Sequence, residues 1–255
     1  MLRRRHFLLV AAGTTPRLGT AQALLTIAAA SDLRYALDEV LGAFRAAQAG
    51  APVKVVYGAS GKLASQIRNG APFDVFLSAD LAFAQALYAD GHTAAAPQVY
   101  AIGRLAAWST DTALGSLPLD ALIRDPRVRR FAIANPEHAP YGVRAIEALR
   151  HVGLEAIARP KLVFGDNVAQ AATFIHSGAA QAGLIAHSLL HSPALAGKGA
   201  STLVPEAWHS RLDQALVITR RAAGNEMVRA FVRHLGSPAA RALLARHGFS
   251  LPGAR

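Results

Sequence analysis

The chain has 255 residues, 52% of them hydrophobic and 17% charged, which is enough apolar material for one large domain or two lobes. Cysteine is absent, which excludes disulfides and thiol chemistry. The formal net charge is +11, but the arginines lie mostly singly along predicted helices, and no basic–aromatic interleaving of the kind that stacks bases is present. The charge therefore indicates a mild field that draws small anions, and no nucleic-acid partner is predicted.

The first 23 residues have the pattern of an export signal. Arg3–Arg5 precede a short apolar run over residues 7–13, and residues 21–23 (Ala-Gln-Ala) form a small-x-small cleavage site. Residues 4–8 also resemble the twin-arginine export motif. We predict a signal peptide over 1–23 and a periplasmic mature chain, with a basic tail of no targeting role as the alternative. No apolar stretch approaches the length of a membrane span, so the mature chain is predicted to be soluble.

Residues 58–80, GASGKLASQIRNGAPFDVFLSAD, are the most informative stretch. An apolar run over 53–57 predicts a strand, 58–61 a turn of small residues, and 62–69 a helix. A strand that ends in a small turn opening a helix directs free backbone N–H groups and the Ser60 hydroxyl at one point, a geometry that attracts anions. The spacing fits neither a P-loop nor the G-x-S-x-G nucleophile elbow.

The remaining elements alternate in the same way. A first βαβαβα series is followed by a second βα series, which predicts an α/β fold whose switch-point loops face one cleft. Strands are predicted at 24–30, 53–57, 74–77, 99–108, 131–134, 161–164, 182–186, near 203 and at 216–219. The stretch 99–108 is predicted as one long strand.

The strings GASGKLASQI, NGAPFDVFLSAD, YAIGRLAAWS, IANPEHAPYG and HGFSLP resemble the periplasmic molybdate-binding proteins of ABC-type importers. The likeness covers nearly the whole mature chain. It implies a type II periplasmic-binding-protein fold, with two α/β lobes, two crossover strands at the hinge and the ligand in the interlobe cleft. It also implies a first lobe of residues 24–104 plus 216–255 and a second lobe of 105–215.

The resemblance implies a function as well. The chain is expected to be an extracytoplasmic solute-binding protein, not an enzyme, that captures molybdate, with tungstate as a second ligand. It is expected to act as a monomer that delivers the ligand to a membrane ABC permease. No cofactor is implied, no catalytic residue, and no metal other than the molybdenum of the bound oxyanion.

In this family neutral donors hold a tetrahedral dianion, without lysine or arginine in contact with it. Converging N–H groups and hydroxyls at helix starts offset the desolvation of an anion through fixed dipoles. The residues implied to donate here, through hydroxyls or backbone N–H groups, are Ser31, Asp32, Ser60, Gly61, Tyr141 and Val168.

Two residues depart from the family pattern. Asp32 stands where some relatives have an amide or apolar residue, and a carboxylate beside a dianion would repel it. We therefore predict that its side chain caps the helix start and that only its N–H faces the ligand. Ala186 stands where certain members have a ligand-contacting tyrosine, for which Tyr141 is the expected substitute.

Several alternatives stay open. The same fold could hold sulfate, phosphate or another oxyanion, with selection by cavity size. A hydrolase built on Ser60 would need a histidine in reach, and His138 is the nearest candidate in sequence. Ser31 and Ser60 could be helix caps alone, and Tyr141 a core aromatic. Lys62 is predicted to stay on a helix surface, and the pair His187 and His191 lacks a third ligand for zinc.

Overall fold

The computed structural model describes residues 24–48 and 50–253, so the predicted signal peptide lies outside the described part. The first half contains β1 Leu25–Ala30, α1 Arg34–Ala47, β2 Val53–Gly58, α2 Ser60–Arg68, β3 Val75–Ser78, α3 Leu81–Ala89, β4 Gln98–Gly103, β5 Leu105–Ser109, α4 Thr112–Gly115 and α5 Leu119–Arg124. The second contains β6 Phe131–Ala134, α6 Pro140–His151, α7 Glu155–Ala158, β7 Leu162–Gly165, α8 Val168–His176, β8 Ala182–Ala186, β9 Ala200–Leu203, β10 Leu212–Ile218, α9 Glu226–Leu235 and α10 Pro238–Arg246.

The strands form two five-stranded mixed sheets, each flanked by helices. The first has the order β2-β1-β3-β10-β4 and the second β7-β6-β8-β5-β9. The inner pairs β1–β2, β1–β3, β6–β7 and β6–β8 are parallel, while β10 and β5 run antiparallel to both of their neighbours. We call the elements around these sheets the first and second lobe. The prediction of a two-lobed type II α/β fold is confirmed.

The chain crosses between the lobes twice, and the first crossing corrects a prediction. The single strand predicted over 99–108 is wrong, because β4 pairs with β10 in the first sheet whereas β5 pairs with β8 and β9 in the second. Arg104 lies between them. Both strands are largely buried and apolar, so the residue pattern does not mark the break. The second crossing connects β9 to β10. The exact lobe boundaries stay predictions, and the boundary at 215/216 falls inside β10.

The C-terminal helices complete the first lobe. One face of α1 is buried, and its Phe44 packs edge-on against Phe231 of α9 with ring centroids 5.6 Å apart. Helix α10 also packs against α1. Among the described residues, no helix is long and apolar enough to cross a bilayer.

The predicted helix starts lie close to the observed ones. Helix α2 begins at Ser60, two residues before the predicted start, and α8 begins after Asn167, whose side chain accepts hydrogen bonds from the N–H groups of Ala169 and Gln170. Ser237 caps α10 as predicted. Strand–turn–helix units thus position residues from both lobes at the cleft.

Candidate functional site

A small cavity of about 10 Å³ lies between the lobes, at the carboxyl ends of β1, β2 and β3 and the N-termini of α6 and α8. It is lined mainly by alanine, glycine and proline, together with five of the six predicted site residues, Ser31, Asp32, Ser60, Tyr141 and Val168. The lining contains no lysine, arginine or histidine. Pockets for drug-sized molecules are commonly about 300–1,000 Å³, so the closed cavity has no room for a ligand of that size.

Three helices from the two lobes begin at the cavity. Ser60 is the first residue of α2, Tyr141 the second of α6 and Val168 the first of α8. Their backbone N–H groups have no hydrogen-bond acceptor among the residues that the structure describes. Each helix start carries the positive end of a helix dipole. The arrangement therefore favours a negatively charged ligand without a formal positive charge.

Both predicted serine hydroxyls retain a hydrogen that is free to donate. The Ser60 hydroxyl oxygen accepts from the Ala79 N–H at 3.0 Å, and the Ser31 hydroxyl oxygen accepts from the Ala169 N–H at 3.3 Å. Neither hydroxyl donates to an acceptor among the described residues, so its single hydrogen is available to a ligand. Neither side chain caps the helical segment that it begins. The interpretation of these serines as caps of their own helices is wrong.

Asp32 does not cap a helix, contrary to the prediction. One carboxylate oxygen, Oδ2, accepts from the Tyr141 hydroxyl at 3.1 Å and from the Gln214 side-chain amide at 2.7 Å. The other, Oδ1, is buried without a hydrogen-bond partner in the described part of the chain. Burial raises the pKa of Asp32 to about 6, although the hydrogen bonds from Tyr141 and Gln214 and the nearby backbone N–H groups of Asp32 and Leu33 act to lower it.

The role of Gln214 was not predicted. It is fully buried in β10, between β3 and β4 of the first sheet, and its side chain reaches Asp32 across 182 positions of sequence. A single glutamine within an apolar strand has no sequence pattern that would single it out. Only the paired strands bring it to the site.

Tyr141 is a buried residue of the cavity wall whose hydroxyl hydrogen is donated to Asp32. Burial and the nearby Asp32 charge raise the pKa of Tyr141 well above its ordinary value, so this hydroxyl stays protonated at neutral pH. A Cβ at Gly103 would lie 2.3 Å from the same hydroxyl oxygen, so the glycine leaves room for it. Ala186 is buried at the end of β8 and does not line the cavity.

The lobes meet directly beside the cavity. The Gly61 N–H donates to the backbone oxygen of His138 at 2.9 Å, so this predicted donor is engaged across the cleft. The Ser188 hydroxyl, in the 3-10 turn after β8, donates to the backbone oxygen of Asp32 at 2.8 Å. These contacts join the first lobe to the second, and the structure is therefore a closed one.

Two ion pairs also span the cleft. Arg144 of α6 pairs with Asp80 at 2.6 Å, and their side chains are only 12% and 16% exposed. Lys62 of α2 pairs with Asp166 at 3.0 Å, where both side chains are largely exposed. The prediction that Lys62 lies on a helix surface agrees with its exposure, but it also bridges the lobes.

The geometry does not support a hydrolase. The His138 imidazole contacts the backbone oxygen of Asp166 at 2.9 Å, and no histidine is hydrogen-bonded to Ser60 among the described residues. His187 and His191 lie edge to face with centroids 4.8 Å apart. Residues 24–48 and 50–253 contain no cluster of three or more histidine, aspartate or glutamate side chains that could hold a metal ion.

Two lobes closed on a small cavity of neutral donors define a solute-binding protein. A family model described as "Bacterial extracellular solute-binding protein" matches residues 25–250. The chain belongs to this family. The prediction of a binding protein rather than an enzyme is thereby confirmed.

The chain is also similar to individual proteins of known name. The chain is 31% identical over 226 residues to the molybdate-binding protein ModA of Azotobacter vinelandii, covering 88% of this chain and 89% of the relative. It is 32% identical over 212 residues to ModA of Rhodobacter capsulatus, covering 82% and 81%. The solved Azotobacter periplasmic molybdate-binding protein superposes with a TM-score of 0.83 over 89% of this chain and 99% of that one.

A second solved structure shares the fold at lower sequence identity. The sulfate-binding protein SubI of Mycobacterium tuberculosis superposes with a TM-score of 0.72 at 15% identity, over 90% of this chain and 87% of that one. This likeness concerns the fold alone.

Proposed function

We propose that this chain captures molybdate, with tungstate as a second ligand, for an ABC-type importer. The observation that carries the proposal is the cavity between the lobes, where three helix starts and two free hydroxyl hydrogens converge without any cationic side chain. Its donors suit a tetrahedral oxyanion, whose four oxygens all accept hydrogen bonds. Two relatives above 30% identity are named for molybdate binding, which favours this anion over others.

The neutral donor set also suits a carrier. Fixed dipoles compensate for the water that the anion loses, because they are already oriented when it arrives. They add no ion pair that would have to break when the ligand leaves. Closure of two lobes over the anion then controls its retention.

The proposal extends to the location and the partner. We infer that residues 1–23 direct export and that the mature chain works in the periplasm as a monomer. There it would pass its ligand to a membrane ABC permease. The absence of lysine, arginine and histidine from the cavity lining supports this delivery step, since no ion pair with the ligand has to break on release.

Calorimetric titration of the purified exported protein tests the ligand. Molybdate, tungstate, sulfate and phosphate are titrated separately under one set of conditions. One-to-one binding of molybdate and tungstate, with sulfate and phosphate at least about 100-fold weaker, is the expected result. Preferential binding of sulfate or phosphate would replace the proposed ligand, and no heat with any oxyanion would overturn the proposal.

Replacing Ser60 with alanine is expected to weaken molybdate binding by about 1–3 kcal/mol, because one anion oxygen loses a donor inside a closed cavity. Ser65→Ala is the matched control, since Ser65 lies on the exposed face of the same helix. Calorimetry measures the affinities, and thermal unfolding of the ligand-free proteins reports the loss of the Ala79 contact separately. Equal molybdate affinities for Ser60→Ala and Ser65→Ala would show that Ser60 does not contact the ligand.

A further inference from the structure

The cavity wall contains a buried carboxyl group that is only partly hydrogen-bonded. Asp32 is 2% exposed and lines the cavity together with Ser31 and Ser60. Its Oδ2 atom accepts two hydrogen bonds, whereas Oδ1 has no partner among the described residues. A buried polar atom without a partner is rare in folded proteins and needs an explanation.

No cationic side chain in the described part of the chain pairs with Asp32. Its titratable neighbours are Tyr141 of α6 and Tyr100 of β4, and burial raises the pKa of both hydroxyls well above their ordinary value. Strand β10 faces it with the neutral Gln214, and the turn after β8 with Ser188. No lysine, arginine or histidine of the described residues forms an ion pair with it.

The other titratable groups of nearby elements point elsewhere. The turn after β8 also carries His187 and His191, but His187 is directed at Gly248, where an added Cβ would lie 2.5 Å from its Nδ1. His191 lies between His187 and His247. Helix α8 faces the site with Val168, which is neutral. Asp32 therefore holds the only side-chain charge in the cavity lining.

We propose that oxyanion binding at this site is coupled to the uptake of one proton by Asp32, so that the occupied cavity holds the anion beside a neutral carboxyl group. The inference rests on the proposed function. A carboxylate and a dianion enclosed together without a cation repel each other strongly at low dielectric constant, and protonation of the carboxylate removes the repulsion. The proton comes from solvent, and its place is Oδ1, because Oδ2 already accepts two hydrogen bonds. Protonated, Oδ1 becomes a donor.

The direction of the pH dependence follows from linkage. Burial already places the pKa of Asp32 at about 6 in the empty cavity, and an enclosed anion raises it further. Below about pH 6 the group is mostly protonated before binding, so affinity is insensitive to it. Above this pH, up to the pKa of the occupied state, binding must draw in a proton, and affinity falls by up to about tenfold per pH unit.

The test is a proton count on the exported protein with molybdate as the probe. Calorimetry at about pH 7.5 in two buffers with different ionisation enthalpies gives the number of protons taken up per anion bound. We expect about one for the wild type and for Asp213→Asn, which removes a carboxylate from β10 outside the cavity lining, and none for Asp32→Asn. The affinity of Asp32→Asn is expected to stay flat between about pH 6 and 8, and to exceed that of the wild type at the upper end.

Binding of molybdate by the wild type without proton uptake would overturn the inference and leave the proposed function intact. This measurement requires no variant, so poor folding of Asp32→Asn would not remove the test. Unchanged proton uptake by Asp32→Asn would assign the proton to another group and also overturn it. Absence of binding by any oxyanion at both ends of the pH range would instead overturn the proposed function, and this inference with it.

Discussion

Gly61→Ala is expected to weaken molybdate binding by about 2–3 kcal/mol, or roughly 30- to 150-fold in Kd. A Cβ at this position would lie 2.8 Å from the backbone oxygen of His138 and 3.1 Å from its Cα. Both atoms are backbone atoms of the opposite lobe. The methyl group therefore clashes only when the lobes are closed, so the variant shifts the equilibrium towards an open state that holds the anion weakly.

The ligand-free variant should fold normally, because the nearest atom of its own lobe belongs to the side chain of Phe83, at 3.2 Å, which can shift by a few tenths of an ångström. Gly42→Ala is the matched control, since a Cβ at this position in α1 has no atom within 4 Å. Calorimetry measures the affinities, and small-angle scattering with and without molybdate measures closure. Wild-type affinity with full closure in Gly61→Ala would show that the lobes do not need this contact.

Asp80→Asn is expected to lower molybdate affinity by about 2–3 kcal/mol, since removing one partner of a buried ion pair leaves the other charge uncompensated. Arg144 belongs to the second lobe and Asp80 to the first, so the penalty falls on the closed state. The expected loss of affinity is smaller than for a fully buried pair because Arg144 keeps its ion pair with Glu147 of its own lobe, at 3.0 Å. Asparagine can still cap α3, as Asp80 does through its bond from the Ala82 N–H.

A double-mutant cycle separates the pair from other effects. Arg144→Gln, Asp80→Asn and the double variant are compared by calorimetry, and the coupling between the two sites is expected to account for most of the loss. Asp90→Asn is the control, because it breaks an exposed pair with Arg68 inside the first lobe. Additive losses, with no coupling, would exclude the pair as a contributor to closure.

Local signals predicted most of the architecture. Apolar strands followed by turns of small or capping residues predicted the start of α2 to within two residues and that of α8 after Asn167, because these preferences act within a few residues. The break at Arg104 could not be predicted this way. Two consecutive buried strands have the same apolar pattern as one long strand, and only their partners in different sheets distinguish them.

The site was predictable in its position but not in its hydrogen bonding. Ser31 and Ser60 lie at the cavity as expected from their turns and from the family resemblance. The helix cap predicted for the Asp32 side chain follows from the repulsion expected between a carboxylate and a dianion. Its observed partners, Tyr141 and Gln214, come from a distant helix and strand. Contacts across the cleft depend on how the lobes meet, which short-range patterns do not encode.

The position of β10 has a consequence for the order in which the molecule can be assembled. This strand lies between β3 and β4, so the first sheet stays split until residues near the end of the chain are available. All strands of the second sheet come from one continuous stretch of sequence, from β5 to β9. Their pairing does not depend on residues near the end of the chain. In vectorial synthesis or translocation, the second lobe can therefore fold first, while the first lobe waits for the C-terminus. A truncated chain that ends before β10 would be expected to present half of the anion cavity on an incomplete sheet.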